Sequence, residues 1–305
     1  MITIFFSPKP FSDSEISVAQ RNAIASWKAL GNDIEIILFG NEDGTKEVVK
    51  EFSIKHVSDV PCSQEGLPKV NEMFSLAESM SPYNLLMYIN SDIILLSDFV
   101  ETVKCIADEM KNKQFLMLGQ RHDLDLYRAV NFGEDEWDIK LRDLVRKNGN
   151  LRGPGAIDYF LFRKGMWPKK MPAFVIGRVQ FDNWLIYCAR FMRIDVIDAT
   201  RTIMAIHQNH EQKEGYFFKR RESPEALEQM KLTSEMRQNF LISDANLIYT
   251  KSGLSRPKMS ISKLKRVILT GSSLYPHFSG VFSMLKAILS FAYRVTGVKS
   301  VLTKS

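Results

Sequence analysis

Short runs of β-branched and aromatic residues alternate with helical patterns through the first 120 residues, and that alternation limits the possible folds more than any other feature of the chain. Ile2 to Phe6 (ITIFF) reads as a strand. Glu15 to Leu30 places Ile16, Ala19, Ala23, Trp27 and Leu30 at helical spacing and stops at Gly31. Asp33 to Phe39 gives a second strand closed by Gly40, and residues 54 to 60 a weaker third. A helix from about Leu67 follows, with Pro68 suited to its first turn, and then a strand from Asn84 to Ile89. Ser97 or Asp98 can cap a helix running to about Asn112, and Phe115 to Leu118 is another buried strand. Such alternation predicts an α/β layer fold with a mostly parallel, Rossmann-like sheet flanked by helices.

The second half is less regular. Glu134 to Arg146 is a charged amphipathic helix, residues 148 to 156 a glycine-rich loop, and Ile157 to Phe162 a strand. Residues 165 to 177 are irregular; Gln180 to Phe191 is helical, with Phe181, Trp184, Leu185 and Cys188 on one face. Strands at 194 to 198 and 202 to 206 are followed by a helix from about Ser223 to Phe240. The 305 residues, 45% hydrophobic and 25% charged, suffice for one large core with appendages or for two small domains.

Charge and cysteine content remove several classes of function. The net charge of +6 is concentrated at the C-terminus. After Asp244 there are ten basic residues and no acidic one, so the first 244 residues hold 31 basic against 35 acidic side chains. The main body is therefore no nucleic-acid-binding surface. Cys62, Cys105 and Cys188 form no CxxC pair, which argues against a disulfide framework or a thiolate zinc site and for a reducing, cytoplasmic setting. The opening MITIFFSPKPF has neither a basic leader nor a small-residue cleavage site, and no run approaches the ~18 apolar residues of a membrane span.

The strand ending at Ile89 runs into Asn90, Ser91 and Asp92 before the apolar pattern resumes (LLMYINSDIILL). In open α/β sheets ligands collect at the carboxyl ends of strands, so this interruption stands at a site position. A carboxylate there needs a hydrogen-bonding, ionic or metal partner, and a hard divalent ion such as Mg²⁺ or Mn²⁺ is one. A capping turn with Asp92 satisfied by backbone amides is the other reading of the same three residues.

With this strand ending, the chain resembles the GT-A superfamily of sugar-nucleotide-dependent glycosyltransferases, in its bacterial family 2-like branch, over roughly residues 1 to 220. In that family an Asp-x-Asp-type motif helps hold a divalent metal on a nucleoside diphosphate. Asn90 replaces the first aspartate here, which leaves Asp92 as the metal ligand. The resemblance implies donor contacts at Ser7, Pro8 and Lys9 (FFSPKPF), at Lys69 and Asn71 (GLPKVNEMF), at Asn90 and Ser91, and at Arg121 (GQRHDLDL). It implies sugar or acceptor contacts at Gly155, Asp158 and Tyr159 (GPGAIDYF), at Asn183 and Trp184 (FDNWL), and at Gln208 and His210 (HQNH). Asp182, at a helix start, matches the catalytic base of inverting members, and His207 a further metal ligand. Residues 1 to 220 then form the catalytic domain, 1 to 125 its nucleotide half and 126 to 220 its acceptor and metal half, with a helical, basic extension from 221 to 305.

The implied partners are a nucleotide-diphosphate sugar and a glycan or lipid-linked acceptor, as in surface polysaccharide or glycolipid synthesis. Residues 255 to 271 and 279 to 300 set apolar residues at helical spacing beside lysines and arginines. They can lie on an anionic leaflet, making the protein peripheral at the inner face of the cell membrane, or pack on the catalytic domain or a second subunit through Phe282, Leu285, Leu289 and Phe291. Two rival functions share features of the chain. A nucleotidyltransferase would need a glycine in SPKPFSDSE, and a non-catalytic nucleotide- or carbohydrate-binding module would be consistent with Asn90.

Overall fold

The computed structural model describes residues 1–210, 221–236 and 238–296, with backbone alone for 292–296. Its first half follows the alternation in the sequence: β1 (Ile2–Phe6), α1 (Ser14–Ala29), β2 (Ile34–Phe39), α2 (Thr45–Phe52), β3 (Lys55–Val57), α3 (Val70–Met80), β4 (Leu85–Ile89), β5 (Ile93–Ile94), α4 (Asp98–Glu109), β6 (Phe115–Leu118) and β7 (Arg121–Leu124). The rest comprises α5 (Trp137–Asn148), β8 (Asn150–Leu151), β9 (Tyr159–Arg163), α6 (Phe181–Phe191), β10 (Asp195–Asp198), β11 (Ala205–Gln208), α7 (Pro224–Leu232), β12 (Leu247–Thr250), β13 (Gly253–Ser255), α8 (Ile261–Leu274) and α9 (Ser279–Thr296).

Nine strands form the central sheet in the order β13-β12-β10-β6-β9-β4-β1-β2-β3, and four form a small sheet in the order β5-β11-β7-β8. Within the central sheet β3-β2-β1-β4 and β6-β10-β12 are parallel, while β9 runs antiparallel to both β4 and β6 and joins the two blocks. Both faces are covered. Phe5, Ile37, Leu86, Tyr88, Phe160 and Phe162 pack with Val70 and Phe74 of α3 and Trp184 and Leu185 of α6. Alternate residues Ile4, Phe6, Met87, Ile89, Tyr159 and Leu161 pack with Trp27 of α1 and Phe99 and Val103 of α4. Burial on both sides explains why these strands read as unbroken apolar runs. A third cluster, Ile94, Leu96, Leu124, Leu141, Val145 and Ile206, seats the small sheet on α5.

Four expectations change. Helix α3 starts at Val70 because Lys69 stays extended, its N–H donating to the Pro61 carbonyl at 2.9 Å and its backbone bridging Val175. The strand expected at 202 to 206 shifts to β11, since Thr202 and Ile203 turn back onto the Ala199 carbonyl, each at 3.0 Å. The helix expected over 223 to 240 ends at Leu232. Finally, the segment expected to be a helical extension also supplies β12, which pairs with β10, and β13, so the central sheet continues past residue 220. Among the described residues no helix is long and apolar enough to cross a membrane.

Candidate functional site

Asp92 stands between the end of β4 in the central sheet and β5 in the small one. The chain is fixed on either side of it. The Ile93 carbonyl accepts from the Trp27 indole N–H at 2.9 Å, and Leu95 N–H reaches the Ser26 hydroxyl at 3.2 Å. The Asp92 carbonyl accepts from the Gln208 side chain and from the Gln208 backbone N–H, each at 3.2 Å. Gln208 is wholly buried and also donates to Ala19 at 2.7 Å and accepts from Asn22 at 2.9 Å. Its amide thus clamps α1 to the Asp92 turn. That use corrects the expectation of a substrate contact at Gln208.

Asp92 is 8% exposed, and its side chain faces two imidazoles. His210 Nε2 lies 3.4 Å and His207 Nε2 3.7 Å from Asp92 Oδ2, and one ligand atom from each of the three residues fits within 4.8 Å of the others. Lys9 completes the group, its ammonium 3.8 Å from Asp92 Oδ2 and 3.0 Å from His210 Nε2. The Lys9 loop is held by a reciprocal pair of bonds with the buried Gln20 amide, at 2.7 and 2.9 Å. Lys9, Ser91, Asp92, His210, Gln20 and Ala19 line a cleft. His210 therefore joins the metal-type cluster instead of the acceptor side expected for it.

The donor set suits a divalent cation. Burial opposes the Asp92 charge, but the hydrogen bond from His210 and the electrostatic influence of the neighbouring His207 and Lys9 outweigh it and hold the carboxyl well below its ordinary value. Asp92 Oδ1 is buried with no hydrogen-bond partner. Burial pushes His207 down, and Asp92, Asp158 and Asp123 only partly offset that, so its ring is the neutral form that binds metals. His207 Nε2 and Asp92 Oδ2, 3.7 Å apart, are too far for a direct hydrogen bond, and each can offer a lone pair to a cation. His210 Nε2 has conflicting demands, because Lys9 requires it as an acceptor and Asp92 as a donor.

Sequence reasoning missed Asp123. The β7–β11 register sets it directly opposite His207, and its Oδ1 lies 3.4 Å from His207 Nδ1. A carboxylate there turns the imidazole so that Nε2 faces Asp92. Arg121 at 2.9 Å and Arg152 at 3.1 Å neutralise Asp123. The alternation in QRHDLDL was the available signal, but the pairing with β11 was not.

Asn90 is explained by what surrounds it. Its amide donates to Asp158 Oδ1 at 2.6 Å and accepts from the Tyr88 hydroxyl at 3.1 Å, so an aspartate would set two carboxylates against each other. Arg121 holds the other Asp158 oxygen at 2.8 Å. The polar groups of Asn90, Asp158 and Arg121, for which donor and sugar contacts were expected, are thus engaged with one another. Asp92, Asp158 and Asp182 share one neighbour: burial first, and then these three charges, suppress ionisation of the Tyr88 phenol. Asp182 opens α6 beside Phe181, whose ring meets Tyr88 edge-on at 5.7 Å. It follows Gln180, a residue held at φ 80°. Such a backbone is costly outside glycine and persists only where its surroundings fix it.

Other expected residues are scattered. Ser7 and Pro68 meet the end of β2, where a Cβ on Gly40 would lie 3.7 Å from Ser7 Oγ and 3.9 Å from Pro68 Cγ. Pro8 is buried and Gly155 exposed, while Lys69 and Asn71 are half-buried at the start of α3. The Asn71 amide donates to Glu72 at 2.9 Å. Three expected acceptor contacts are instead core. Tyr159 is completely buried, its hydroxyl against Gly119. Trp184 stacks obliquely on Phe174, and Asn183 donates to the Phe240 carbonyl at 2.6 Å. Each side chain lies on the packed side of its element, so it is lost to substrate.

No protein-family model matches the sequence, and no curated protein matches it. Solved structures do. S. aureus TarS residues 1–349, in complex with UDP-GlcNAc, superposes with a TM-score of 0.50 at 11% identity, over 91% of this chain and 72% of that one. Glucosyl-3-phosphoglycerate synthase from Mycobacterium tuberculosis, in complex with Mn²⁺, UDP and glucosyl-3-phosphoglycerate, matches over 77% of this chain and 76% of its own, at 16% identity and a TM-score of 0.38. The first likeness shows the fold: a GT-A-type α/β architecture.

Proposed function

We propose that the protein is a glycosyltransferase that moves a sugar from a nucleoside diphosphate donor to an acceptor hydroxyl with help from a divalent metal. The observation that carries this reading is the convergence of Asp92, His207 and His210 at the carboxyl end of β4 in a GT-A-type fold. That TarS was solved with a nucleotide sugar gives further support. Lys9 and the buried Ser91, which line the same cleft, together with Ser7, Lys69 and Asn71, would receive the nucleotide.

Asp92, His207 and His210 would hold Mn²⁺ or Mg²⁺, with His210 added to the pair foreseen from sequence. When bound, the ion supplies Lewis-acid stabilisation to the departing diphosphate. Lys9, with its ammonium in the same cleft, would add a mobile positive charge on the phosphate side. Asp182 would accept the proton of the acceptor hydroxyl, the role that favours inversion. The Asn183 N–H, in the first turn of α6, donates to Asp182 Oδ1 at 2.9 Å. The acceptor in this proposal is a glycan or lipid-linked hydroxyl, the setting surface polysaccharide or glycolipid synthesis, and the location the inner face of the cell membrane.

Thermal shift with UDP, GDP, CDP and TDP, each with and without Mn²⁺, tests the reading on wild type and Asp92→Ala. A ligand confined to the native state raises Tm according to its concentration over Kd. One diphosphate is expected to stabilise the wild type only with metal and the variant not at all. No stabilisation by any diphosphate at millimolar concentration would overturn the proposal.

A further inference from the structure

The C-terminal helical hairpin presents a bare apolar face. Helices α8 and α9 pack on each other and α8 on the 234–244 region, and three of their basic side chains turn inward. Lys263 donates to the Ser243 and Ala245 carbonyls at 2.7 and 2.6 Å, Arg266 pairs with Asp244, and Lys286 reaches the Ser272 hydroxyl at 2.9 Å. Phe282 fills the notch at Gly271. What remains outside is apolar. Among the described side chains of α9, the exposed positions are Gly280, Val281, Ser283, Met284, Ala287, Ile288 and Phe291, without one charge among them. The largest of these, Met284, Ile288 and Phe291, are 58%, 56% and 69% exposed. Phe278 at the turn and Leu264 and Val267 of α8 continue the patch. Of the four residues that one of the two sequence readings would pack on the catalytic domain or a second subunit, Phe282, Leu285 and Leu289 are half-buried and Phe291 faces out.

A contiguous apolar surface of this kind on a helix pair marks a docking site. Charge identifies the occupant. Lys251, Arg256 and Lys258, on the segment leading into α8, are exposed, and no acidic residue occurs after Asp244. A second copy of the same face would bring two uncompensated positive hairpins together, whereas an anionic lipid leaflet neutralises them while burying the apolar stripe. Neither helix is apolar enough to cross the bilayer, so the hairpin lies in its plane.

We propose that the outer face of the α8–α9 hairpin docks on the surface of an anionic lipid bilayer, with Met284, Ile288 and Phe291 entering the acyl boundary and Lys251, Arg256 and Lys258 meeting headgroups. This rests on the membrane location proposed above and not on the transfer chemistry, and vesicle binding is read with no sugar donor present, so the two can fail separately.

The experiment is flotation of the full chain with vesicles of phosphatidylcholine alone and of phosphatidylcholine with 30% phosphatidylglycerol. The double variant Met284→Glu/Ile288→Glu is compared with Lys251→Glu/Arg256→Glu/Lys258→Glu, the fold of each being checked by circular dichroism and Tm. All five positions are exposed, so both variants should fold. The expected result is binding of wild type to the anionic vesicles, at least tenfold weaker in the first variant and weakened in the second. Absence of binding to anionic vesicles, equal binding to neutral ones, or binding unchanged by Met284→Glu/Ile288→Glu would overturn the proposal. A wild-type dimer that this variant converts to monomer, without vesicle binding by the wild type, would assign the face to a second copy instead.

Discussion

The two sheets divide the labour of the molecule unequally. In the central sheet, strand after strand is apolar on both faces, and its polar content lies at the strand ends. The small sheet has four strands of two to four residues each, yet it carries Arg121, Asp123, His207 and Gln208. Asp92 belongs to neither and links the two. A large, dry sheet fixes a position in space, and a small, wet one brings opposing side chains to it. Stability and chemistry are thereby lodged in different residues and can be perturbed separately.

The largest effect that tests this division is expected in the central sheet. Phe160→Ala empties a fully buried site and should cost about 3–5 kcal/mol of stability by urea unfolding, while Mn²⁺ affinity of the folded fraction stays unchanged. A parallel loss of metal affinity would show that the sheets are not separable. Asp92→Ala is its mirror image: a loss of Mn²⁺ affinity beyond about a thousandfold, ~4 kcal/mol, by calorimetry, with little change in unfolding. Asn90→Asp sharpens the contrast at the seam. It sets a second carboxylate against Asp158 and should destabilise by about 2–3 kcal/mol at pH 7, with recovery towards pH 5 as one carboxyl takes up a proton.

Asp123→Asn leaves every metal ligand in place and should still weaken Mn²⁺ binding about 10- to 100-fold, with Tm close to wild type. The smallest expected effect is on pH dependence. The folded value of His207 lies below its ordinary ~6.5 because the ring is buried. Between the two values the unfolded chain binds the proton first, so stability of the metal-free protein falls as pH drops below about 6.5. His207→Gln should flatten that slope in unfolding titrations.

Much of the fold was legible because buried strands and amphipathic helices announce themselves locally, and Asp92 stood out because it breaks an apolar run. The rest depends on pairings across the chain. Asn90 owes its amide to a partner 68 positions away, and Asp123 owes its role to a parallel register with β11. Strands as short as β5 and β8 have no period to read. Tyr159 and Trp184 misled for a related reason: with both faces of β9 and most of α6 buried, an aromatic ring near a polar residue gives no sign of which way it points.

The antiparallel strand β9 has one more consequence, in time instead of space. Residues 159–163 are made after both β4 and β6, yet they lie between them and pair with each. As the chain leaves the ribosome, two apolar strands of five and four residues therefore wait with open edges until about residue 163 appears. Closing the sheet requires contacts of high sequence separation, which places its centre among the later and slower folding events. Until then the exposed edges of β4 and β6 are templates for mispairing. Chaperone dependence during synthesis should accordingly be greatest for nascent chains that end between β6 and β9.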